Sequence, residues 1–331
     1  MCLGLEALLR AGGLGLRDCI VIEFDEGPDS PSAMHSDLLA QNKVKLDQLI
    51  KDRGTKLIKE VHMWSEDGRR RIGSLGGANV FTGLSDFSNY TDIIIDISAL
   101  PRGIYFSLIG KVLYILDSNP KEAAAVPNLF VIVSESAELD RRIKEKGIDD
   151  FAYYVHGFAR DLEREATLNI PKVWIPILGE DQRGQLERIY SLVNPDEICP
   201  VFPSPSFYPR RGDELLTEYR EYLFEELLVE PRNIIYAAEQ NPFDVYRQIH
   251  RTVQHYNKAL KPLGGSKVAI SALSSKLISI GALLSAYELI NAELSVGIAN
   301  IEAQGYQIEG ETKSIKTELF TLWLAGDCYE H

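Results

Sequence analysis

The chain has 331 residues, 45% of them hydrophobic and 25% charged, so it holds enough apolar material for two ordinary domains without disulfide staples. A collagen-like repeat and a wholly disordered chain are excluded. The formal net charge of -13 argues against a surface built to follow a nucleic-acid backbone, although a local basic cluster can still hold one phosphate.

Cys2, Cys19, Cys199 and Cys328 lie far apart and form no CxxC pair, so neither a zinc ribbon nor a redox motif is expected. No signal peptide is recognisable. The apolar stretches at 92–117 and 268–290 are interrupted by Pro101, Arg102, Lys111, Ser274, Ser275 and Lys276 before a membrane-spanning length accumulates. The expectation is a soluble, cytoplasmic protein with no membrane partner.

Taken in order, short β-branched runs alternate with segments of helical period, the pattern of α/β units. Cys19–Phe24 is the first predicted strand, followed by a turn-rich loop and a helix from about Ser36 to Lys51 whose candidate buried positions are Leu38, Leu39, Leu46, Leu49 and Ile50. A strand at Lys56–His62, a polar loop at 65–77, a helix around Asn79–Phe87 and a strand at Asp92–Asp96 come next. A helix over 101–110 and a strand over Lys111–Leu116 complete the first predicted domain. Asp117–Pro127 is the predicted linker, with the boundary near 126.

The second predicted domain, 127–331, opens with the strand 129–133, followed by a charged segment, 138–170, that suits a helical insertion or a lid. Strands are then predicted at 172–178, 196–201, 232–237, 267–271, 294–299 and 319–325, and helices at about 181–193, 213–229, 242–260 and 275–290. The fold class expected is α/β, two tandem Rossmann-like domains with mainly parallel sheets flanked by helices.

One four-residue segment occurs in both halves. Ile97-Ser-Ala-Leu100 recurs as Ile270-Ser-Ala-Leu273, each time after a buried strand and before a basic residue and an apolar helix. Such a turn places the free N–H groups of a helix at the carboxyl edge of a sheet, where the macrodipole favours an anion. Pro101 suits the first turn of one helix, and Ser274 or Ser275 can cap the other. Arg102 and Lys276 put a cation at the same position, which disfavours each helix by about 0.3–1 kcal/mol unless an anion answers it. The competing account is that both cations point to solvent or pair with Asp92, Asp96 or another carboxylate.

Asp96-Ile-Ser-Ala-Leu-Pro-Arg102 and Ala269-Ile-Ser-Ala-Leu-Ser-Ser-Lys276 resemble the ligand turns of Rossmann-like nucleotide sensors of prokaryotic antiviral defence, the CRISPR-associated Rossmann-fold (CARF) domains. The resemblance covers these two segments alone, and Ala99, Leu100, Ala272 and Leu273 stand where that family commonly has glycine and threonine. It implies a cyclic oligonucleotide or another nucleotide as ligand, and phage defence as the setting.

Other constellations carry less. Tyr208, Arg210 and Arg211 share a proline-rich loop after a predicted strand, where a ring can stack on a base and a guanidinium can pair with phosphate. Arg69, Arg70 and Arg71 form a basic loop without P-loop spacing. Glu23, Asp25, Glu26 and Asp29 follow the first strand, a place for catalytic carboxylates or magnesium ligands. His250 and His255 are five apart and share no metal-binding face, and no GxSxG elbow occurs.

The sequence therefore supports a sensor or regulatory subunit for a nucleotide or phosphate-bearing small molecule. Its candidate binding residues are Ser98, Arg102, Ser271, Ser274, Ser275, Lys276, Tyr208, Arg210 and Arg211. No cofactor or metal is expected, and the protein partner is a further copy of the chain or an effector. The alternatives are a metal-dependent enzyme acting on a nucleotide or nucleic acid, and a structural scaffold subunit.

Overall fold

The computed structural model describes residues 6, 15, 17–25, 36–51, 53–68, 70–118, 126–136, 143–145, 147–164, 169–304, 306–308 and 317–327. It is a mixed α/β structure with parallel sheets flanked by helices. The chain divides into two compact units, Met1–Gly147 together with Ala303–His331, and Ile148–Glu302.

In the first unit β1 (Cys19–Asp25) pairs in parallel with β2 (Lys56–His62), with Ile20 opposite Leu57 and Phe24 opposite Val61. Helix α1 (Ser36–Ile50) packs Leu46 and Ile50 against Val21 of β1. Leu38 and Leu39, expected in the core, are exposed. The helix expected at 79–87 forms instead as α2 (Gly73–Ala78) and a single 3-10 turn at Leu84–Asp86. Close approach explains α2: a Cβ on Gly77 would lie 2.5 Å from the Ile104 carbonyl oxygen, and one on Gly76 2.7 Å from Val61.

Strand β3 (Asp92–Asp96) leads into α3 (Arg102–Asp117), which is buried along most of its length. The strand expected over Lys111–Leu116 does not form, because these residues continue α3. Strand β4 (Asn128–Glu135) pairs in parallel with β3. The expected domain boundary near 126 is corrected accordingly: β4 belongs to the first unit, and residues 303–331 return to it. Two further strands lie within the first unit, β5 (Ile143–Glu145) and, after the second unit, β13 (Tyr306–Ile308), and they pair antiparallel. The last strand, β14 (Glu318–Ala325), pairs antiparallel with β4 and stacks Trp323 on Phe130 at 5.3 Å between ring centroids.

The second unit opens with turns and β6 (Tyr153–Tyr154), so its described residues 148–164 hold no helical insertion; 138–142, 146 and 165–168 of that expected segment lie outside the described residues. In chain order there follow β7 (Lys172–Ile177), α4 (Arg183–Val193), β8 (Glu197–Ile198), β9 (Val201–Pro203), α5 (Arg211–Glu221), β10 (Ile235–Ala237), α6 (Pro242–Ala259), β11 (Lys267–Ala272), α7 (Lys276–Asn291) and β12 (Ser295–Asn300). Helix α5 runs on into a π turn at Tyr222–Glu226.

The sheet order is β10-β9-β7-β11-β12-β6, parallel except for β6, with β8 also paired to β7. The chain winds outward from β7 to β10, returns to β11 on the other side of β7, and winds outward again to β12. All six residues of β11 are buried, as expected of a parallel strand covered on both faces. Trp174, Leu178, Ile189, Phe202, Tyr219, Leu223 and Ala269 lie in a core cluster of this unit. Among the described residues no helix is long and apolar enough to cross a membrane.

Candidate functional site

In open parallel sheets the place where winding reverses leaves a crevice at the carboxyl ends of the two central strands. Here that place lies between β7 and β11. The loop after β7 carries Gly179, Glu180, Asp181 and Gln182, and the turn after β11 carries Leu273, Ser274 and Ser275. The two meet closely: a Cβ on Gly179 would lie 2.2 Å from the Leu273 carbonyl oxygen. Tyr219 holds the first loop, its hydroxyl donating to the Gly179 carbonyl at 2.7 Å and accepting from the Gln182 N–H at 2.8 Å. Burial raises the Tyr219 pKa well above the ordinary phenol value, so the hydroxyl keeps the proton that this bond requires.

Ser275 caps α7 and accepts from the Ile278 N–H at 3.4 Å. Lys276 is the first residue of α7, and no acidic residue occupies the first turn. The matching turn of the first unit has the same form. Pro101 precedes α3, Arg102 opens it, and its first turn likewise contains no acid. Helices α1, α5 and α6 differ, since Asp37, Asp213 with Glu214, and Asp244 occupy their first turns. Helix α4 also opens on a cation, Arg183, which pairs with Glu187 at 3.0 Å and with Glu226 at 2.7 Å.

The structure distributes eight of the nine candidate residues over three places and buries the ninth, Ser271, in β11. Ser98 and Arg102 lie in the first unit, where the Ser98 N–H donates to Asp96 Oδ1 at 2.9 Å and its Oγ accepts from the Ser134 N–H at 2.9 Å. Ser274, Ser275 and Lys276 share the α7 turn. Ser271, expected to face ligand, is fully buried within β11 and accepts from Trp174 Nε1 at 3.0 Å, so it is a core residue.

Tyr208, Arg210 and Arg211 form the third place, at the start of α5. Arg211, expected to pair with phosphate, pairs with Glu180 at 3.3 Å and with Glu239. Glu239 also accepts from the Phe207 N–H at 2.8 Å. Two carboxylates on the Arg211 guanidinium leave a net negative charge, and Asp213 and Glu214 answer the α5 dipole, so Arg211 and this helix start do not favour an anion. Arg211 opens α5, and its partners come from two other loops, so their meeting is invisible in local spacing.

Of the residues weighed for metal or acid–base work, Glu23 pairs with Lys43 at 2.7 Å, while Glu26 and Asp29 lie outside the described residues, as does Arg69 of the basic loop. Among the described residues no group of three His, Cys, Asp or Glu side chains is placed to hold a metal.

No protein-family model and no curated protein matches the chain. Among solved structures, a functionally unknown protein from Pseudomonas aeruginosa PAO1 is similar at 11% identity over 87% of this chain and 93% of that chain, with a TM-score of 0.24. A similarity of that size carries no assignment.

Proposed function

We propose that this protein is a nucleotide- or phosphate-ligand-binding sensor built on two Rossmann-like units, with ligand taken at the turns that open α3 and α7. One observation carries the reading. The two helices that follow the repeated segment both begin with a cation and have no acidic residue in the first turn. No acid of the same turn meets their positive dipole ends, and a phosphate group placed there would meet the helix N–H groups and the dipole beside a cation. In the second unit this turn also borders the crevice at which winding reverses.

Lys276 and Arg102 supply the charge in this account, and Ser274 and the first N–H groups of each helix supply donors. Ser98 and Ser275 shape the turns, since their oxygens accept from backbone N–H groups. The scaffold reading draws on those same bonds: turns that satisfy themselves internally can be purely fold-determining. Isothermal titration with inorganic phosphate, AMP, ATP and a cyclic tetra-adenylate separates the two. The sensor account expects saturable binding of at least one, weakened about tenfold or more in Lys276→Ala or Arg102→Ala protein of unchanged far-UV CD. Absence of binding to the whole panel, or binding indifferent to both substitutions, refutes it.

A further inference from the structure

We propose that the cavity at the carboxyl ends of β9 and β10 binds an organic cation, through an alkylammonium or guanidinium head group. This site is separate from the proposed phosphate turns and does not depend on them. The cavity measures about 370 Å³ and is lined by Phe202, Ser204, Ser206, Asp213, Leu216 and Tyr236, with three prolines and Gly212 completing its wall. That is near the small end of ligand pockets, which run from about 300 to 1,000 Å³, and leaves room for such a head group together with the chain that carries it.

Its chemistry is one-sided. Asp213 is the one charged residue of the lining, and no described residue pairs with its carboxylate. Tyr236, also in the lining, is 55% exposed as a residue. An aromatic residue and a carboxylate lining one cavity are the combination that recognises ammonium and guanidinium groups, the ring through its quadrupole and the acid through charge-assisted hydrogen bonds. Ser204 and Ser206 add neutral hydrogen-bonding groups. The Ser206 hydroxyl already donates to the Tyr208 carbonyl at 2.6 Å, which leaves its oxygen as an acceptor for a bound N–H.

The surroundings turn anions away. The Arg211 guanidinium, beside Gly212 of the lining, is engaged by Glu180 and Glu239, and the Glu239 N–H donates to the carbonyl of the wall residue Pro205 at 3.0 Å. Glu180 and Glu239 against Arg211 leave one net negative charge beside that of Asp213, with Arg210 as the further cation at the start of α5. Prolines at 203, 205 and 209 restrict the backbone of the wall, so little ordering cost falls on binding. Gly212 brings the first turn of α5 close to β9, a Cβ there lying 3.0 Å from the Pro203 carbonyl oxygen.

The head group can belong to a free small molecule or to a lysine or arginine side chain of a peptide. The test titrates full-length protein with n-butylammonium, ethylguanidinium, the tripeptide acetyl-Gly-Arg-Gly-amide and, as neutral control, n-pentanol, following binding by NMR chemical-shift changes. The cations should saturate, n-pentanol should bind at least tenfold more weakly, and Asp213→Asn should weaken the cations about tenfold. Tyr236→Leu, at an exposed residue whose loss leaves the core intact, should weaken them by a few fold.

A tripeptide that binds more than tenfold tighter than ethylguanidinium supports a protein side chain as the natural occupant, and equal affinities support a free small cation. Failure of both cations to saturate, binding of n-pentanol as tight as that of the cations, or Asp213→Asn protein with unchanged affinity overturns the proposal. Because phosphate is not the probe, failure here leaves the Lys276 and Arg102 turns untouched.

Discussion

Replacing Gly179 by alanine tests whether the loops after β7 and β11 are as close as described. The new Cβ would stand 2.2 Å from the Leu273 carbonyl oxygen and 3.3 Å from the Ser274 Cα, both backbone atoms. An ordinary carbon–oxygen contact is about 3.3–3.6 Å, so the two loops must separate by about 1 Å. Neither can do so cheaply, because Tyr219 bridges the first and the Leu273 N–H donates to the Ile177 carbonyl at 3.0 Å. Overpacking of this kind costs about 1–3 kcal/mol, and backbone-on-backbone contact places this case near the upper end. At about 2–4 °C per kcal/mol, the melting temperature should fall by about 6–12 °C in differential scanning calorimetry. Gly184→Ala is the control: its Cβ meets only the tip of the Ile148 side chain at 3.1 Å, and the change should stay within about 1 kcal/mol of wild type. A Gly179→Ala protein within about 0.5 kcal/mol of wild type would refute the loop contact.

Three further outcomes are expected. Ser271→Ala leaves the Trp174 indole N–H buried without its acceptor and should cost about 1–3 kcal/mol in urea denaturation, with a smaller cost in a Trp174→Phe background; equal costs in both backgrounds would show that the bond contributes nothing. Lys267 is buried, and burial lowers its pKa from the ordinary 10.5, with Lys172 acting in the same direction. Between its folded pKa and 10.5 the unfolded chain binds more protons, so wild-type stability rises with pH in that window. The stability of Lys267→Met relative to wild type should therefore decline as pH rises from 7 towards 10, and a pH-independent difference would contradict it. Burial also pushes the Cys199 thiol up to about 11, so iodoacetamide at pH 8 should label it only after unfolding, as read by peptide mapping; rapid labelling of folded protein would contradict the buried placement.

Much of the fold was legible because periodicity is local. The strands at 19–25, 56–62, 92–96 and 267–272 and the helices at 242–259 and 276–291 formed within a residue or two of their expected positions. Failures arose where local signals conflict with packing. Lys111–Leu116 has the short apolar character of a strand, yet a helix buried all round has the same composition, and α3 continued through it. Gly73–Ala78 carries three glycines that argue against a helix, but only glycines fit against Val61, Met63 and Ile104. The boundary at 147, and the return of 303–331 to pair with β4, rest on contacts nearly 200 residues apart that no local pattern reveals.

The candidate site was legible in part for the same reason. The strand–turn–helix context of Arg102 and Lys276 is written in consecutive residues and appears in both units. Ser271 could not be separated from its turn neighbours by spacing, because its burial depends on Trp174, nearly 100 residues earlier. Arg211 carried the right chemistry for phosphate, but Glu180 and Glu239 reach it from other loops.

The central claim is that the turns opening α3 and α7 hold a phosphate-bearing ligand. Native mass spectrometry of the purified protein, followed by denaturation and mass analysis of whatever small molecule is released, tests it most directly. The account predicts a nucleotide or other phosphate compound released from wild type and lost from folded Lys276→Ala and Arg102→Ala variants. Protein that carries no such compound and still shows none after incubation with the phosphate and nucleotide panel would contradict it and leave the turns as elements of the fold alone.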